Sequence, residues 1–233
     1  VAVHESGLTT TVRGGENGRA PRAWGAPERF LRVDALGYIA LAGNLAGQGV
    51  FSGGTGPFPP DTFRTPGYPL FLVPFVFLFS SPILPAALTQ CLLGTLGSIR
   101  LWRWLHALWG PRAAAAGALI AAWDLVTVFH TPLLLSETLF LFLVTEGLIQ
   151  SWKAIERRDP RHAALAGLLW SLSMLVRPIS LYFPIPLSAL WLRHKRSLAC
   201  FLVAAYLVPG LWILRNWNAT GVAAFTSVGG VAL

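Results

Sequence analysis

Charge is scarce in this sequence: Asp, Glu, Lys and Arg together make up only 12% of it, against 54% hydrophobic residues. A soluble domain built this way would leave far too much apolar surface facing water, so that class is excluded. Acids are scarcer still, 10 against 18 Lys and Arg, which gives a formal net charge of +8. In a soluble protein such a surplus would raise the question of nucleic acid. In a chain that crosses a membrane repeatedly, it is the balance that cytoplasmic loops supply, and nucleic acid is not expected as a partner. Cysteine is nearly absent. Cys91 and Cys200 both sit in apolar runs, where a thiol behaves as a small hydrophobe, and two residues make no disulfide framework. The first 32 residues, rich in Gly and Arg, lack any apolar core. They therefore read as neither a signal peptide nor a span, and residues 1–33 are expected to form an irregular, disordered leader.

What is present is a series of long uncharged runs, each near the roughly 20 residues that cross a bilayer's hydrocarbon core. They lie at about 84–107, 113–131, 135–152, 162–176, 179–192 and 198–214, the fifth being short and Pro-bearing. The expected fold is thus an all-α membrane protein, a polytopic helical bundle of about six spans. Upstream, residues 34–49 place Leu36, Ile39, Ala40 and Leu45 on one helical face, as a surface helix would. Residues 50–65 are a Gly- and Pro-rich loop. The apolar run 66–80 is short and carries Pro69 and Pro74, so it reads as a second surface or re-entrant helix. Residues 34–83 are then an outer-face loop with short helices, 84–214 the spanning region, and 215–233 an outer-face tail.

Basic residues mark every other connection: Arg100, Arg103 and Arg112; Lys153, Arg157, Arg158 and Arg161; Arg193, Lys195 and Arg196. By the positive-inside rule these ends face the cytoplasm. Asp34, Glu137, Arg177 and Arg215 then fall on the opposite, outer face. A charge within or at the end of an apolar span costs roughly 2.5–3.5 kcal/mol on insertion scales, so it is expected to face a partner or a wet cavity. The bland reading is an arginine snorkelling to lipid phosphate with a Glu paired to it. Two arginines and two carboxylates on the face that should be poor in charge favour a site instead. Arg64 and Tyr68 could join it from the loop. Asp124 and Glu146 lie deeper and read as interhelical hydrogen-bonding groups.

Such a set suits transfer from a lipid phosphate donor. Guanidinium forks hold phosphate oxygens, and a carboxylate takes the proton of an incoming hydroxyl. Attack opposite the departing phosphate would invert the anomeric centre.

The motifs Asp34-Ala-Leu-Gly-Tyr38 with Asn44 and Gly49, Arg64-Thr-Pro-Gly-Tyr-Pro69, Ser136-Glu137-Thr-Leu-Phe140, Arg177-Pro178 and Arg215-Asn216-Trp217 follow in that order. Over about 34–233 the chain resembles polyprenyl-phosphate-sugar glycosyltransferases of the GT-C fold. More narrowly, it is similar to the dolichyl-phosphate-mannose protein mannosyltransferase and bacterial aminoarabinose transferase group. The resemblance implies a catalytic acid in the first outer loop, matched by Asp34, and a second acidic position matched by Glu137. It makes Arg64, Tyr68, Arg177, Arg215 and Asn216 candidates for the lipid-phosphate and sugar pocket. It also implies a polyprenyl-phosphate sugar donor, a glycan, lipid or protein acceptor, and a bacterial inner or plasma membrane with the site facing the periplasm or exterior. Metal use varies within the fold, and no metal or other cofactor is assigned. Two departures stand out. Such enzymes have a span just before the residue matching Asp34, and they continue beyond the Arg-Asn-Trp segment. The expectation is a membrane glycosyltransferase, with a transporter or flippase-like carrier, or an inactive fragment of the glycosyltransferase, as the alternatives. No inverted repeat favours the carrier.

Overall fold

A computed structural model of the chain describes residues 33–123 and 133–227. Expectations for the leader before residue 33 and for Asp124 lie outside the described residues. Within them the regular structure is all helical, and no strand occurs among the described residues.

Helix α1 (Val33–Gln48) and helix α2 (Gly67–Leu78) fill the segment before the first expected span, and the Gly- and Pro-rich 50–65 stretch joins them as a loop. Helix α3 covers Ile83–Trp123 but is two helical stretches in one, because Gly110 sits at φ 81° and ψ −177° ahead of Pro111. The ring of Pro111 removes a backbone donor and glycine tolerates the left-handed φ, so the break falls where the basic connection between the first two runs was expected. Helices α4 (Glu137–Arg157) and α5 (Pro160–Val176) form a tight hairpin. The side chain of Asp159 caps α5 by accepting the Arg161 N–H at 2.9 Å, and Pro160 follows at the first helical position.

The fifth expected run is not one helix. It breaks into a 3-10 turn (Pro178–Tyr182), the short helix α6 (Pro184–Ser188) and a second 3-10 turn (Ala189–Trp191). Pro178, Pro184 and Pro186 each remove a helix donor, which explains the interruption. The segment still carries the chain back along α5: it leaves the C-terminus of α5 at Arg177 and ends with the Trp191 ring tilted against Phe201, centroids 4.4 Å apart, near the start of helix α7 (Lys195–Thr220). Helix α7, 26 residues long and about 39 Å by helical rise, is the one described helix that is by itself long and apolar enough to cross a membrane. It takes in Arg215 and Asn216, so the tail begins later than the hydropathy boundary suggested.

Small residues bring α5 and α7 close. A Cβ on Gly167 would sit 2.9 Å from that of Ala204, so the two backbones meet at the glycine, and Ala163, Ala166 and Ala205 are buried in the same core with Trp170, Met174 and Phe201. A second core joins α1, α2 and the start of α3 through Ala35, Tyr68, Leu72 and Ala86. The outward faces are as apolar as these cores. Leu88, Leu92, Leu96 and Ile99 on α3, Leu165, Leu168 and Leu172 on α5, and Val203, Leu207, Leu211 and Leu214 on α7 are all exposed. They recur every three or four residues, so each helix turns a continuous apolar stripe outward. Water would oppose such stripes strongly, whereas a bilayer is their natural solvent.

Candidate active site

The loop 50–65 is held by side chains that replace its missing backbone ladder. Asn44 donates to the carbonyls of Ser52 and Gly54 at 2.6 and 2.9 Å. Asp61 accepts the N–H groups of Phe63 and Arg64 on Oδ1 at 2.8 and 3.0 Å, an Asx turn that aims the next side chain. That side chain is Arg64. Its Nη2 lies 3.4 Å from Asp34 Oδ1, and its guanidinium rides over the rings of Tyr38 and Phe63 at 5.3 and 5.8 Å. Gly37 makes the approach possible, because a Cβ there would stand 2.5 Å from Arg64 Cζ.

A second charge pair comes from helix ends. Glu137 opens α4, where the helix dipole favours an anion, and Arg177 closes α5, where it favours a cation. Arg177 Nη1 donates to Glu137 Oε1 at 2.8 Å, and its guanidinium lies 5.9 Å from the Phe140 ring. The other carboxylate oxygen, Oε2, is buried and has no hydrogen-bond partner among the described residues.

Both pairs line one open cavity of about 330 Å³, together with Tyr38, Thr65, Ser136 and Thr226. Thr65 ties the loop to the end of α5 by donating to the Val176 carbonyl at 3.2 Å, and Thr226 donates to the Phe63 carbonyl at 2.6 Å. Asp34 is the freest of the charged groups, with 70% of its side chain exposed. Burial pushes the Tyr38 phenol up from its ordinary pKa, only partly opposed by its hydrogen bond with Ser136, so at neutral pH it keeps its proton and can donate. The arrangement offers two guanidinium forks for an anion, one exposed carboxylate, one carboxylate with a spare oxygen, and a protonated phenol.

Of the four residues that the charge pattern grouped, Asp34, Glu137 and Arg177 come together in this cavity and Arg215 does not, while Arg64 joins them from the loop. The other three predicted residues do not reach this cavity. Tyr68 is fully buried behind it, donating to Gln90 Oε1 at 2.8 Å, while Gln90 in turn donates to the carbonyls of Leu133 and Leu135. Arg215 lies over Trp212 at 4.9 Å and donates to the carbonyls of Asp61 and Phe51. Asn216, also fully buried, accepts from Arg215 and donates to the carbonyl of Ala224 at 2.9 Å. Tyr38 and Ser136 are the residues that sequence reasoning passed over as site members. Tyr38 stands one helical turn beyond Asp34 on the same face of α1, and Ser136 adjoins Glu137, so spacing alone pointed at both.

Residues 63–217 match the model of the dolichyl-phosphate-mannose-protein mannosyltransferase family. The chain belongs to that family. Its members are membrane glycosyltransferases of the GT-C type, and the matched region holds three of the four charged cavity residues, Arg64, Glu137 and Arg177. No curated protein and no solved structure matches the chain.

Proposed function

We propose that this chain transfers a sugar from a polyprenyl-phosphate-linked donor to an acceptor hydroxyl at the outer face of the membrane, with inversion at the anomeric carbon. The observation that carries this reading is that Asp34 and Glu137, far apart in sequence, line one cavity with Arg64 and Arg177. An anionic headgroup entering it competes for guanidinium groups that are each held by a single carboxylate. Arg64 and Arg177 would grip the phosphate. Asp34, exposed beside them, takes the proton of the acceptor hydroxyl as its oxygen bonds to the anomeric carbon. The bond from that carbon to the phosphate oxygen breaks, and polyprenyl phosphate leaves with the electron pair, stabilised by both guanidinium groups. Glu137 orients Arg177 and offers Oε2 to a sugar hydroxyl, while Tyr38 donates to a phosphate or sugar oxygen.

The basic connections support this orientation, with the ends near Arg103, Arg158 and Lys195 on the cytoplasmic side and the cavity outside. Six crossings fit if α3 supplies one on each side of Gly110 and the broken 178–191 segment supplies the fifth. The decisive experiment measures release of polyprenyl phosphate from a polyprenyl-phosphate sugar by the purified chain and its Asp34→Asn variant. Transfer is expected to fall by about 10²–10⁴-fold without loss of donor binding. Undiminished transfer by a correctly inserted Asp34→Asn protein would remove Asp34 as the base.

A further inference from the structure

A second cavity, of about 260 Å³, opens between α3 and α4. Its wall carries Arg100, Arg103 and Trp104 from α3 and Trp152 and Lys153 from α4. Glu137 begins α4, and the sixteen-residue step from there to Lys153 covers roughly 24 Å of helix. The two cavities therefore lie near opposite ends of the same helix, separated by a distance comparable to the bilayer's hydrocarbon core.

The polar groups on this wall are mostly donors in want of an acceptor. Arg100 is the exception, since its Nε and Nη2 donate to the two carboxylate oxygens of Glu146 at 2.5 and 2.8 Å, a fork that fixes the guanidinium and balances its charge. Arg103 and Lys153 form no ion pair among the described residues. The indole N–H of Trp104 is buried with no acceptor among the described residues. A buried donor left unmatched is costly, so it marks where an acceptor belongs. Glu156 adds a carboxylate to the wall and, like Arg103, is exposed, where water screens both charges; with Arg100 and Glu146 balanced against each other, the wall keeps two cations against this one acid.

We propose that this cavity binds a phosphate-bearing anion, with Arg103, Lys153 and the Trp104 N–H as its donors. The guanidinium supplies a planar fork, the ammonium a mobile point charge, and the indole a single fixed donor. Such an anion could arrive as a lipid headgroup sliding along the leucine-lined face of α3 or as free phosphate from the aqueous side. The chemistry of the site is the same for both.

Native mass spectrometry of the full chain in detergent micelles, titrated with phosphatidylglycerol or phosphatidylcholine and separately with inorganic phosphate, tests this. The wild type is expected to retain phosphatidylglycerol in preference to phosphatidylcholine, and the Arg103→Gln/Lys153→Gln double variant to bind it about tenfold more weakly. Trp104→Phe keeps both charges and an aromatic ring, loses the donor, and should weaken binding by a smaller factor. It decides the question should the double variant fold poorly. Inorganic phosphate that binds with the same dependence on these residues would identify a soluble source and uphold the site. Equal retention of both lipids, unmoved by either variant and accompanied by no bound phosphate, overturns it.

Discussion

Arg215 donates from Nη1 to the main-chain carbonyl of Asp61 at 3.0 Å. Its Nη2 reaches the Phe51 carbonyl at 3.3 Å, so one guanidinium clasps both ends of the Gly- and Pro-rich loop. Asp61 passes the constraint on, because its carboxylate receives the Arg64 N–H and thereby sets the arginine that meets Asp34. Arg215 thus acts on the cavity through the loop, as a positioning residue.

Arg215→Ala is expected to destabilise the protein by about 1.5–3 kcal/mol, the usual worth of hydrogen bonds from a charged donor. The measurement is thermal unfolding in detergent, read beside donor affinity. Transfer should fall with the loop, while affinity for polyprenyl phosphate should fall less than in Arg64→Ala. Lysine should not rescue it, since an ammonium cannot span two carbonyls as the planar fork does. A variant of unchanged thermal stability that fails to bind the donor would make Arg215 a direct ligand instead.

Glu137→Gln should separate binding from turnover. Neutralising the carboxylate removes the anion that competes for Arg177. The cavity then becomes more positive, and donor should bind at least as tightly as in the wild type. Turnover should drop by about 10–100-fold, because Arg177 loses its charged orienting partner. Steady-state kinetics resolves the two effects: a raised KM with unchanged kcat would contradict the assignment.

Much of this was legible in the sequence, for reasons that particular residues make plain. Charges are so rare that Asp34, Glu137 and Arg177 had to be explained, and the alternation of basic connections placed them at one end of the bundle. Glu146 was read as an interhelical hydrogen-bonding group, and its fork with Arg100 has that form. Arg215 looked the same as Arg177 in hydropathy, but what it touches depends on how the sixteen-residue loop 50–65 folds back over α7, and no periodicity encodes that. The fifth run looked helical by composition; three prolines broke it, and apolarity alone carries no record of where donors are missing. Tyr68 shares a motif with Arg64 yet points into the core, because four residues further on in sequence the chain has already turned into α2.

Gly67→Ala is expected to injure the site without touching it. A Cβ at this position would lie 2.6 Å from the carbonyl carbon and oxygen of Leu175, both backbone atoms that cannot swing aside. Helix α2 would have to withdraw from the end of α5, straining the Thr65 bond to Val176 and parting Arg64 from Arg177. Overpacking of this kind costs about 1–3 kcal/mol. Gly43→Ala is the matched control, since nothing lies within 4 Å of its added Cβ. Lowered thermal stability and transfer in the first variant, with neither changed in the second, is the expected pair of results. Equal behaviour of the two would show that α2 does not fix the cavity.

The pair Arg100 and Glu146 makes a different prediction, because its members are costly apart and cheap together. Glu146 is 9% exposed and sits on an apolar helix, so its charge depends on the fork from Arg100. Arg100→Met alone would strand that carboxylate and is expected to destabilise by about 1–3 kcal/mol, less than for a fully buried pair because Arg100 is itself 38% exposed and water screens part of the loss. Replacing both, Arg100→Met with Glu146→Leu, removes the stranded charge and fills the space with apolar atoms. That double variant should recover most of the loss, since the original pair had first to be stripped of water to form. Thermal unfolding of the two single variants and the double variant gives the coupling directly. Additive losses would mean that the two side chains do not depend on each other, and that the fork contributes nothing to holding α3 against α4.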